Sequence, residues 1–340
     1  MLVISAGALI WSWAGRPGRG QGQLIAVTIE PGSELEVGEQ LQAAGLLDRP
    51  WLFRVYLRLF KPKLTLEPGE HLLLDSLAPR DLAVLLGRLR NRPNARVTLR
   101  EGWNHHQIGA ELEARGICSK EAFIEAVSDA SVLGRVGLSA RSAEGYLFPE
   151  TYEFLLNSNP EAVVVVLVRQ AKAELARLTK DHREDREQLE EELGFSEHDW
   201  VTFASILERE ATNREELPMI ASVFLNRLSD PDFRPQRMLQ SDPTAAYGCL
   251  VEPERAKTCQ NFQGKVEPAM LRDADNRYNT YRHAGLPPGP ISNPGRAALT
   301  AALKPAESDF LFFFADGKGN HTFTRTFEEH RAAIRRRQLR

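Results

Sequence analysis

The chain has 340 residues, of which 42% are hydrophobic and 26% are charged. These fractions are those of an ordinary globular protein, and they exclude a largely disordered chain and a polytopic membrane protein. The formal net charge of −3 gives no overall basic surface of the kind that marks a nucleic-acid-binding protein, so no nucleic-acid partner is expected. At roughly 100 to 200 residues per domain, the length predicts about two to three compact units.

The first fifteen residues, MLVISAGALIWSWAG, carry no charged side chain and end before the stretch RPGRG, which does not favour a helix. They predict a membrane anchor at 1–15, which is short enough to be the truncated form of a longer anchor. Residues 16–26 are predicted to be a linker. The segment is shorter than the roughly 20 residues that span a bilayer, and it lacks a basic leading region. A buried N-terminal helix or strand of a soluble protein is the alternative.

Two similar openings then predict a duplicated α+β region at 27–155. VTIEPG at 27–32 is echoed by VTLREG at 97–102, and EQLQAAGL at 39–46 is echoed by AELEARGI at 110–117. Each copy reads as a strand that ends at a glycine turn, an amphipathic helix with a glycine C-cap, and a second helix. Between the copies, residues 64–66 and 72–74 resemble strands, and 79–90 resemble a helix.

Residues 156–340 are predicted to form a separate domain of helices and long loops. Asn159-Pro160 is typical of a helix start, and the charged stretch 180–192 is expected to be a solvated part of the same helix, which ends near Gly194. Ser196 then caps a new helix.

Long loops and a hairpin complete this domain. Pro and Gly cluster at 230–243 and 285–294, and loops of that size usually carry function. Residues 310–315 and 322–326 are expected to be the two strands of a terminal β-hairpin around the turn DGKG. The overall class is therefore α+β, with a mixed helical and loop domain after the smaller modules.

The three cysteines are too few for a disulfide scaffold and lack the paired CxxC spacing of a structural zinc site. Cys249 and Cys259 are close enough to close a small disulfide loop in an oxidising compartment, which leaves Cys118 as an apolar filler. Two plain thiols are the alternative. No metal or other cofactor is predicted, and no Walker, Rossmann or G-x-S-x-G pattern occurs.

The best candidate for chemistry lies on the predicted helix 200–213, WVTFASILEREATN. At 100° per residue, one apolar stripe comprises Trp200, Phe203, Ala204, Leu207 and Ala211. Glu208 lies at one edge of this stripe, and Glu210 lies on the other flank, about 200° away around the axis. Partial burial raises the pKa of a glutamate and lets it hold a proton near neutral pH, as a general acid must. The two glutamates cannot both face one substrate, so one carboxylate is expected to act alone or with a partner elsewhere in the chain. An ordinary surface glutamate is the alternative.

Two later loops carry side chains that suit a sugar. The first, MLQSDPT at 238–244, is rich in donors and acceptors, and a simple Asx-Pro turn is its alternative. The second, 277–291, places two tyrosines and Asn279 before the proline-rich run GLPPGPI. Aromatic rings stack on the apolar face of a sugar, and amides bond its hydroxyl and acetamido groups. A purely structural loop is the alternative for this second segment.

Together these segments resemble a known family, the endolytic murein transglycosylases, also called the YceG-like or MltG family. The resemblance rests on several runs that occur in the expected order. They are AEGYLFPETYEF (143–154), ASILEREA (204–211), ASVFLNRL (221–228), LQSDPTAAYG (239–248), YNTYRHAGLPPGPISNPG (278–295) and FFFADGKGNHTFTRTFEEH (312–330). The duplicated region at 27–155 is similar to the LysM-like part of the family, which makes 156–340 the YceG-like catalytic domain.

The resemblance implies a bacterial enzyme that is anchored in the inner membrane by one N-terminal helix and has its body in the periplasm. Its partners would be peptidoglycan glycan strands and the peptidoglycan synthases, and it would cut within nascent strands and so end their elongation. Glu208 is the position matched to the catalytic residue of the family. The residues that would line the sugar cleft are Gln240, Ser241, Asp242, Tyr247, Asn279 and Tyr281.

The resemblance also implies a mechanism without metal or nucleotide. Protonated Glu208 would donate to the oxygen between N-acetylmuramic acid and N-acetylglucosamine, and its carboxylate would then take the proton from the muramic C6 hydroxyl as that oxygen closes on C1. Two other hypotheses stay open at this point. One is a non-catalytic peptidoglycan-binding scaffold of the cell-wall synthesis machinery, and the other is a glycosidase that uses water.

Overall fold

A computed structural model describes residues 2–87 and 94–338. Its contacts divide the chain into two units: the first comprises Met1–Arg96 and Glu153–Asn157, and the second comprises Val97–Tyr152 and Ser158–Arg340. Helices predominate and the sheets are small, which confirms the α+β class.

The first unit is built on one antiparallel strand pair and four helices among its described residues. Its elements in chain order are α1 (Leu2–Ala14), β1 (Leu24–Ile29), α2 (Glu34–Ala43), α3 (Pro50–Phe60), β2 (Gly69–Leu74) and α4 (Pro79–Leu86). In the register of β1 and β2, Leu24 lies opposite Leu74 and Ile29 opposite Gly69. The predicted strand at 64–66 is irregular instead, and its leucines pack against the core. Residues 88–90 of the predicted helix lie outside the described residues.

The N-terminal helix α1 packs against α3 in this unit. The ring centroid of Trp11 lies 6.3 Å from that of Tyr56 and 5.2 Å from that of Phe60. Ala14 is fully buried in the same hydrophobic core. None of the described helices combines the length and the apolar character that crossing a membrane requires.

The second unit contains most of the helices. Its elements, with one strand pair that the division between the units cuts, are β3 (Asn94–Thr98), α5 (His105–Ala114), α6 (Lys120–Ser128), α7 (Ala130–Arg135), β4 (Thr151–Leu155), α8 (Pro160–Asp181), α9 (Arg183–Leu193), α10 (Glu197–Glu210), α11 (Leu217–Ser229), α12 (Asp242–Val251), α13 (Arg296–Leu303), β5 (Phe312–Ala315), β6 (His321–Thr324) and α14 (Phe327–Gln338). β3 pairs with β4, and β5 pairs with β6.

The predicted strand-helix-helix pattern is present in both copies. Ser33 opens α2 and Asn104 opens α5, and each forms a capping box with the residue three positions later. Gly45 and Gly116 follow α2 and α5 with φ of 74° and 68°, a left-handed conformation that glycine adopts without strain. The first copy, β1-α2-α3, lies in the first unit, and the helices of the second copy, α5 and α6, lie in the second unit.

Three local predictions for residues 156–340 need correction. The helix expected to run from Asn159 to Gly194 is two helices, α8 and α9, because His182 leaves helical geometry with φ −129°. Asp242 begins helix α12, where the sequence suggested a turn, since Pro243 suits the first turn of a helix as well as a loop. The β5–β6 hairpin forms as expected, but it is not terminal because α14 follows it.

Helix α10 lies at the centre of the second unit, packed against α13 and α11. Every residue from Trp200 to Leu207 is buried. The helix is therefore buried on all sides over this stretch, whereas the sequence predicted burial of one apolar face only. The indole nitrogen of Trp200 donates to the Leu299 carbonyl at 2.9 Å, and the Ser205 hydroxyl accepts the Ile291 amide at 3.0 Å. The helix ends at Glu210, because Ala211 is extended with ψ 121°. These contacts fix α10 against α13 and against the loop that precedes it.

Candidate active site

Several predicted sugar-binding residues come together at the carboxyl end of α10. The Ser241 hydroxyl donates to Oε1 of Glu210 at 2.5 Å, and the Tyr281 hydroxyl donates to Oδ1 of Asp242 at 2.7 Å. The two loops that carry these residues are joined by backbone bonds. The amide of Gln240 donates to the Thr280 carbonyl at 3.1 Å. The separate predictions for the two loops therefore describe one site.

The backbone before this site has an unusual conformation. Gln240 has φ 58°, in the left-handed region that non-glycine residues seldom adopt. The next amide, that of Ser241, donates to the Thr280 hydroxyl at 3.0 Å, and the Ser241 carbonyl accepts the Thr244 hydroxyl at 2.6 Å. These bonds hold the Ser241 hydroxyl towards Glu210. Strain of this kind is common where a side chain must be aimed at a functional group.

Glu210 is partly exposed, and its pKa is raised. Burial of the carboxylate is the main cause. The hydrogen bond from Ser241 opposes the rise, the charge of Asp242 adds to it, and the charges of Arg227 and His321 oppose it. A carboxyl group in this environment keeps its proton to a higher pH than an exposed glutamate does. Once ionised, it is stabilised by the hydrogen bond from Ser241 and by the nearby positive charges.

Arg227 on α11 is a buried cation that contacts the loop before Ser241. Its side chain lies among phenylalanine rings and is only 5% exposed. Its Nε donates to the Leu311 carbonyl at 2.7 Å, and its Nη1 donates to the Leu239 carbonyl. Burial lowers its pKa to about 10, which leaves it charged at neutral pH. Arg227 thereby connects the loop before Ser241 to the residue that precedes strand β5, and it places a cation near Glu210.

Glu208, the predicted catalytic residue, lies at a different place. It is partly exposed, and its Oε2 accepts the amide of Gly295 at 3.0 Å. The neighbouring Glu101 is paired with Arg214, and a Cβ at position 295 would overlap the Glu101 carboxylate. The pKa of Glu208 is raised, mainly by burial and further by the charge of Glu101. The raised pKa agrees with the sequence argument, but the side-chain hydrogen bond of Glu208 goes to the start of α13 and not to the predicted sugar-binding loops.

Two other predicted cleft residues make internal contacts. Tyr247 is 6% exposed, and its hydroxyl donates to Oε2 of Glu144 at 3.0 Å. Asn279 is 0% exposed, and its amide donates to the carbonyls of Met270 and Asp273 at 3.1 and 2.8 Å. In this conformation both side chains shape the loops around the site and do not offer free polar groups to a sugar.

Glu144, which the sequence argument did not single out, is the centre of a buried network. Its side chain is 1% exposed. Oε2 contacts Nδ1 of His105 at 2.6 Å and accepts the Tyr247 hydroxyl, and Oε1 accepts the amide of Asn293 at 2.6 Å. The sequence signal that could have identified Glu144 is its position as a charged residue inside the otherwise apolar run AEGYLF. A charged residue that is buried must have hydrogen-bonding or charged partners. Glu144 thus links four segments of the second unit.

The disulfide hypothesis is confirmed, since Cys249 and Cys259 are bonded. The bond closes the end of α12 onto the following loop and encloses a small apolar cluster with Ala256 and Met270. Cys118 is free, and burial raises the pKa of its thiol to about 11. Over residues 2–87 and 94–338, no group of three or more His, Cys, Asp or Glu side chains is placed to hold a metal ion.

The sequence argument did not name Glu210 as a site residue, because it matched Glu208 to the catalytic position and placed Glu210 on the opposite flank of a helix extended to 213. With α10 ending at Glu210, the side chain instead lies beside the loop that carries Ser241. The available signal for an early helix end was Thr212 and Asn213, two residues of low helix propensity close after the sequence ERE.

Comparisons with known proteins agree on one family. The model of the YceG-like family matches residues 27–336. An endolytic murein transglycosylase of Bacillus subtilis is 29% identical over 255 residues, which is 70% of this chain and 63% of the relative. An endolytic murein transglycosylase of Streptococcus pneumoniae is 26% identical over 333 residues, which is 90% of this chain and 57% of the relative. The chain thus matches less than two thirds of the length of these relatives.

A solved structure is similar over nearly the whole chain. The crystal structure of a yceG-like protein from Listeria monocytogenes superposes with a TM-score of 0.59 at 27% sequence identity. The match covers 92% of this chain and 100% of the Listeria chain.

Proposed function

The chain belongs to the YceG-like family, and from that premise we propose that it is an endolytic peptidoglycan lytic transglycosylase. It cleaves the bond between N-acetylmuramic acid and N-acetylglucosamine within nascent glycan strands, leaves 1,6-anhydro-muramic ends and so ends strand elongation. The observation that carries the proposal is the protonatable carboxylate of Glu210, which is bonded to Ser241 where the two predicted sugar-binding loops meet. The named relatives support the same substrate.

One carboxylate performs both proton transfers in this mechanism. Protonated Glu210 donates to the glycosidic oxygen as the bond from that oxygen to C1 of the muramic residue breaks. The muramic C6 hydroxyl oxygen then bonds to C1, and its proton passes to the Glu210 carboxylate. The glutamate is thereby returned to its starting form. The bond from Ser241 stabilises the carboxylate between the two steps, since hydrogen bonds to ionised acceptors are strong.

Glu208 is the alternative acid, as the sequence argument proposed. It has a raised pKa and lies on the same helix two residues earlier. The geometry favours Glu210, because Ser241 bonds to it and both Asp242 and Tyr281 lie close enough to interact with it electrostatically. The hydrogen bond of Glu208 goes to Gly295 instead. Substitution of each glutamate separately distinguishes the two.

The LysM-like interpretation of residues 27–155 belongs to the same proposal. Two strand-helix-helix copies with matching caps support a glycan-binding role for this region. Peptidoglycan synthases are the proposed protein partners, because an enzyme that cuts nascent strands acts where those strands are made.

We further propose that the protein is held at the bacterial inner membrane by its N-terminal segment, with the catalytic body in the periplasm. Large apolar side chains are exposed on α1 and α3 of the first unit, and these are Leu9, Trp11, Trp51 and Leu59. The Cys249–Cys259 disulfide suits an oxidising compartment. Sedimentation of the full chain with washed membranes would support this location, and recovery in the soluble fraction would oppose it.

The chemistry of the product ends tests the proposed reaction. Uncrosslinked glycan strands are digested with the full chain, and the fragments are analysed by mass spectrometry. Fragments that end in 1,6-anhydro-muramic acid are expected. Reducing ends heavier by one water would show a hydrolase, and intact strands with a folded protein would favour a glycan-binding scaffold.

A further inference from the structure

A second pocket, outside the site around Glu210, lies between the start of α5, the end of α10 and helix α12. Its volume is about 420 Å³. One wall is apolar and includes Leu250, Phe262 and Ile291. The polar side of the pocket carries Lys120 and Arg209. All of these residues belong to the second unit.

Every side chain lining this pocket that is charged at neutral pH is basic. The stem of Lys120 lies across Gly109, where a Cβ would come within 3.2 Å of its Cγ, and among the described residues no carboxylate forms an ion pair with its amine. The Arg209 guanidinium donates to the Gly102 carbonyl at 3.3 Å and likewise has no ion pair within the described ranges. His106, also in the wall, has its pKa lowered to about 4, mainly by burial, and is neutral under ordinary conditions. The pocket therefore offers two positive charges to a ligand.

The pocket is next to the candidate active site, because two residues that line it are sequence neighbours of residues in the site. Arg209 stands between Glu208 and Glu210 on α10, and Pro243, which lines the pocket, directly follows Asp242. A glycan strand at Glu210 would thus bring the substituent of a muramic residue close to the pocket. In peptidoglycan that substituent is a lactyl group extended by a short peptide with free carboxylates.

We propose that this pocket binds the carboxylate-bearing peptide of the muramic residue, through Lys120 and Arg209 and against the apolar wall, so that the enzyme prefers peptide-bearing strands. The inference rests on the proposed function and adds a specificity determinant to it. The free lactyl carboxylate of a strand without peptides is a second source of negative charge. The size of the pocket and its apolar wall favour the longer peptide.

The test compares two substrates with the full chain. One is uncrosslinked glycan strands that carry their peptides, and the other is the same strands after an amidase has removed the peptides and left the lactyl carboxylate. The measured quantity is the ratio of kcat/KM on the first to kcat/KM on the second. The ratio is expected to exceed one for the wild type. In Lys120→Gln it is expected to fall about tenfold, because the loss of one charge-assisted hydrogen bond has an effect of about that size. Lys180→Gln, an exposed lysine on α8, is the matched control and should leave the ratio unchanged.

Two results of the cleavage assay would overturn the proposal. In the first, the wild type cleaves both substrates equally. In the second, Lys120→Gln lowers kcat/KM on the peptide-free strands at least as much as on the peptide-bearing ones. A loss confined to the peptide-free strands would assign the pocket to the lactyl carboxylate. A binding measurement separates failure of this inference from failure of the proposed function. By calorimetry, a disaccharide with its peptide should bind more tightly than the disaccharide without it, and Lys120→Gln should remove the difference even if no strand is cleaved; equal binding of the two would also overturn the proposal.

Discussion

At the scale of single residues, the account depends on how burial and hydrogen bonds act on the Glu210 carboxylate. Burial favours the protonated form that a general acid needs, and the Ser241 hydroxyl favours the ionised form that the second step needs. A residue that must serve as acid and then as base requires both influences. The raised pKa also has a consequence for stability that can be measured without substrate.

The stability of a Glu210→Gln variant is expected to depend on pH relative to the wild type. Below the pKa of the unfolded glutamate, the carboxyl group is protonated in both states. As pH rises from that value through the higher folded pKa, the unfolded wild type loses its proton first, so the wild type loses stability that the variant keeps. Urea unfolding across this range should show the variant gaining relative to the wild type. Glu191→Gln on α9 controls for the loss of one negative charge, and an equal gain there would contradict the argument.

Two tyrosines that the sequence assigned to one cleft are expected to behave differently. Tyr247→Phe removes a donor from buried Glu144 and should lower the free energy of unfolding by about 1 to 3 kcal/mol, with little change in kcat/KM. Tyr281→Phe removes the bond to the exposed Asp242 and should lower kcat/KM by more than it lowers stability. Urea unfolding and strand-cleavage assays on both variants check this. A larger loss of kcat/KM in Tyr247→Phe than in Tyr281→Phe would place Tyr247 at the substrate.

At the scale of elements, the site exists because α10 ends and α12 begins at particular residues. Ala211 leaves the helix directly after Glu210, and Ser241 immediately precedes α12. Arg227 joins these parts by bonding the carbonyls of Leu239 and Leu311. Helix ends, rather than helix faces, therefore bring the carboxylate and its partner hydroxyl together.

The disulfide at the end of α12 should stabilise this arrangement. It closes a loop between residues ten positions apart, and a loop of that size is worth about 2 to 3 kcal/mol in the chain-entropy model. Urea unfolding with and without reductant should show a loss of that order, and a Cys118→Ala variant should show the same loss because Cys118 is free. An unfolding free energy that is insensitive to reductant would contradict this contribution.

Local structure was predictable where a short stretch of sequence decides it. The caps at Asn159 and Ser196 and the glycines after α2 and α5 are local features, and they appear as expected. The end of α10 and the start of α12 depend on packing between segments distant in the sequence, and they were predicted wrongly. Tertiary contacts override local propensity at such positions.

At the scale of the whole molecule, the chain is two units, and the candidate chemistry lies in the second. The sequence predicted an α+β chain, a disulfide and the two loops that surround the site. It did not predict that these loops meet at Glu210, because that convergence requires the long-range bonds of Thr280 to Gln240 and Ser241. Family resemblance supplied the reaction, and the structure supplies the candidate geometry for it.

The most direct test of the central claim is strand cleavage by a matched pair of variants. Uncrosslinked glycan strands are digested with the full-length wild type, Glu210→Gln and Glu208→Gln, after circular dichroism shows that all three are folded. The account predicts 1,6-anhydro ends from the wild type and from Glu208→Gln, and none above background from Glu210→Gln. Wild-type levels of cleavage by Glu210→Gln, or loss of cleavage in Glu208→Gln alone, would contradict the assignment of Glu210 as the acid and base.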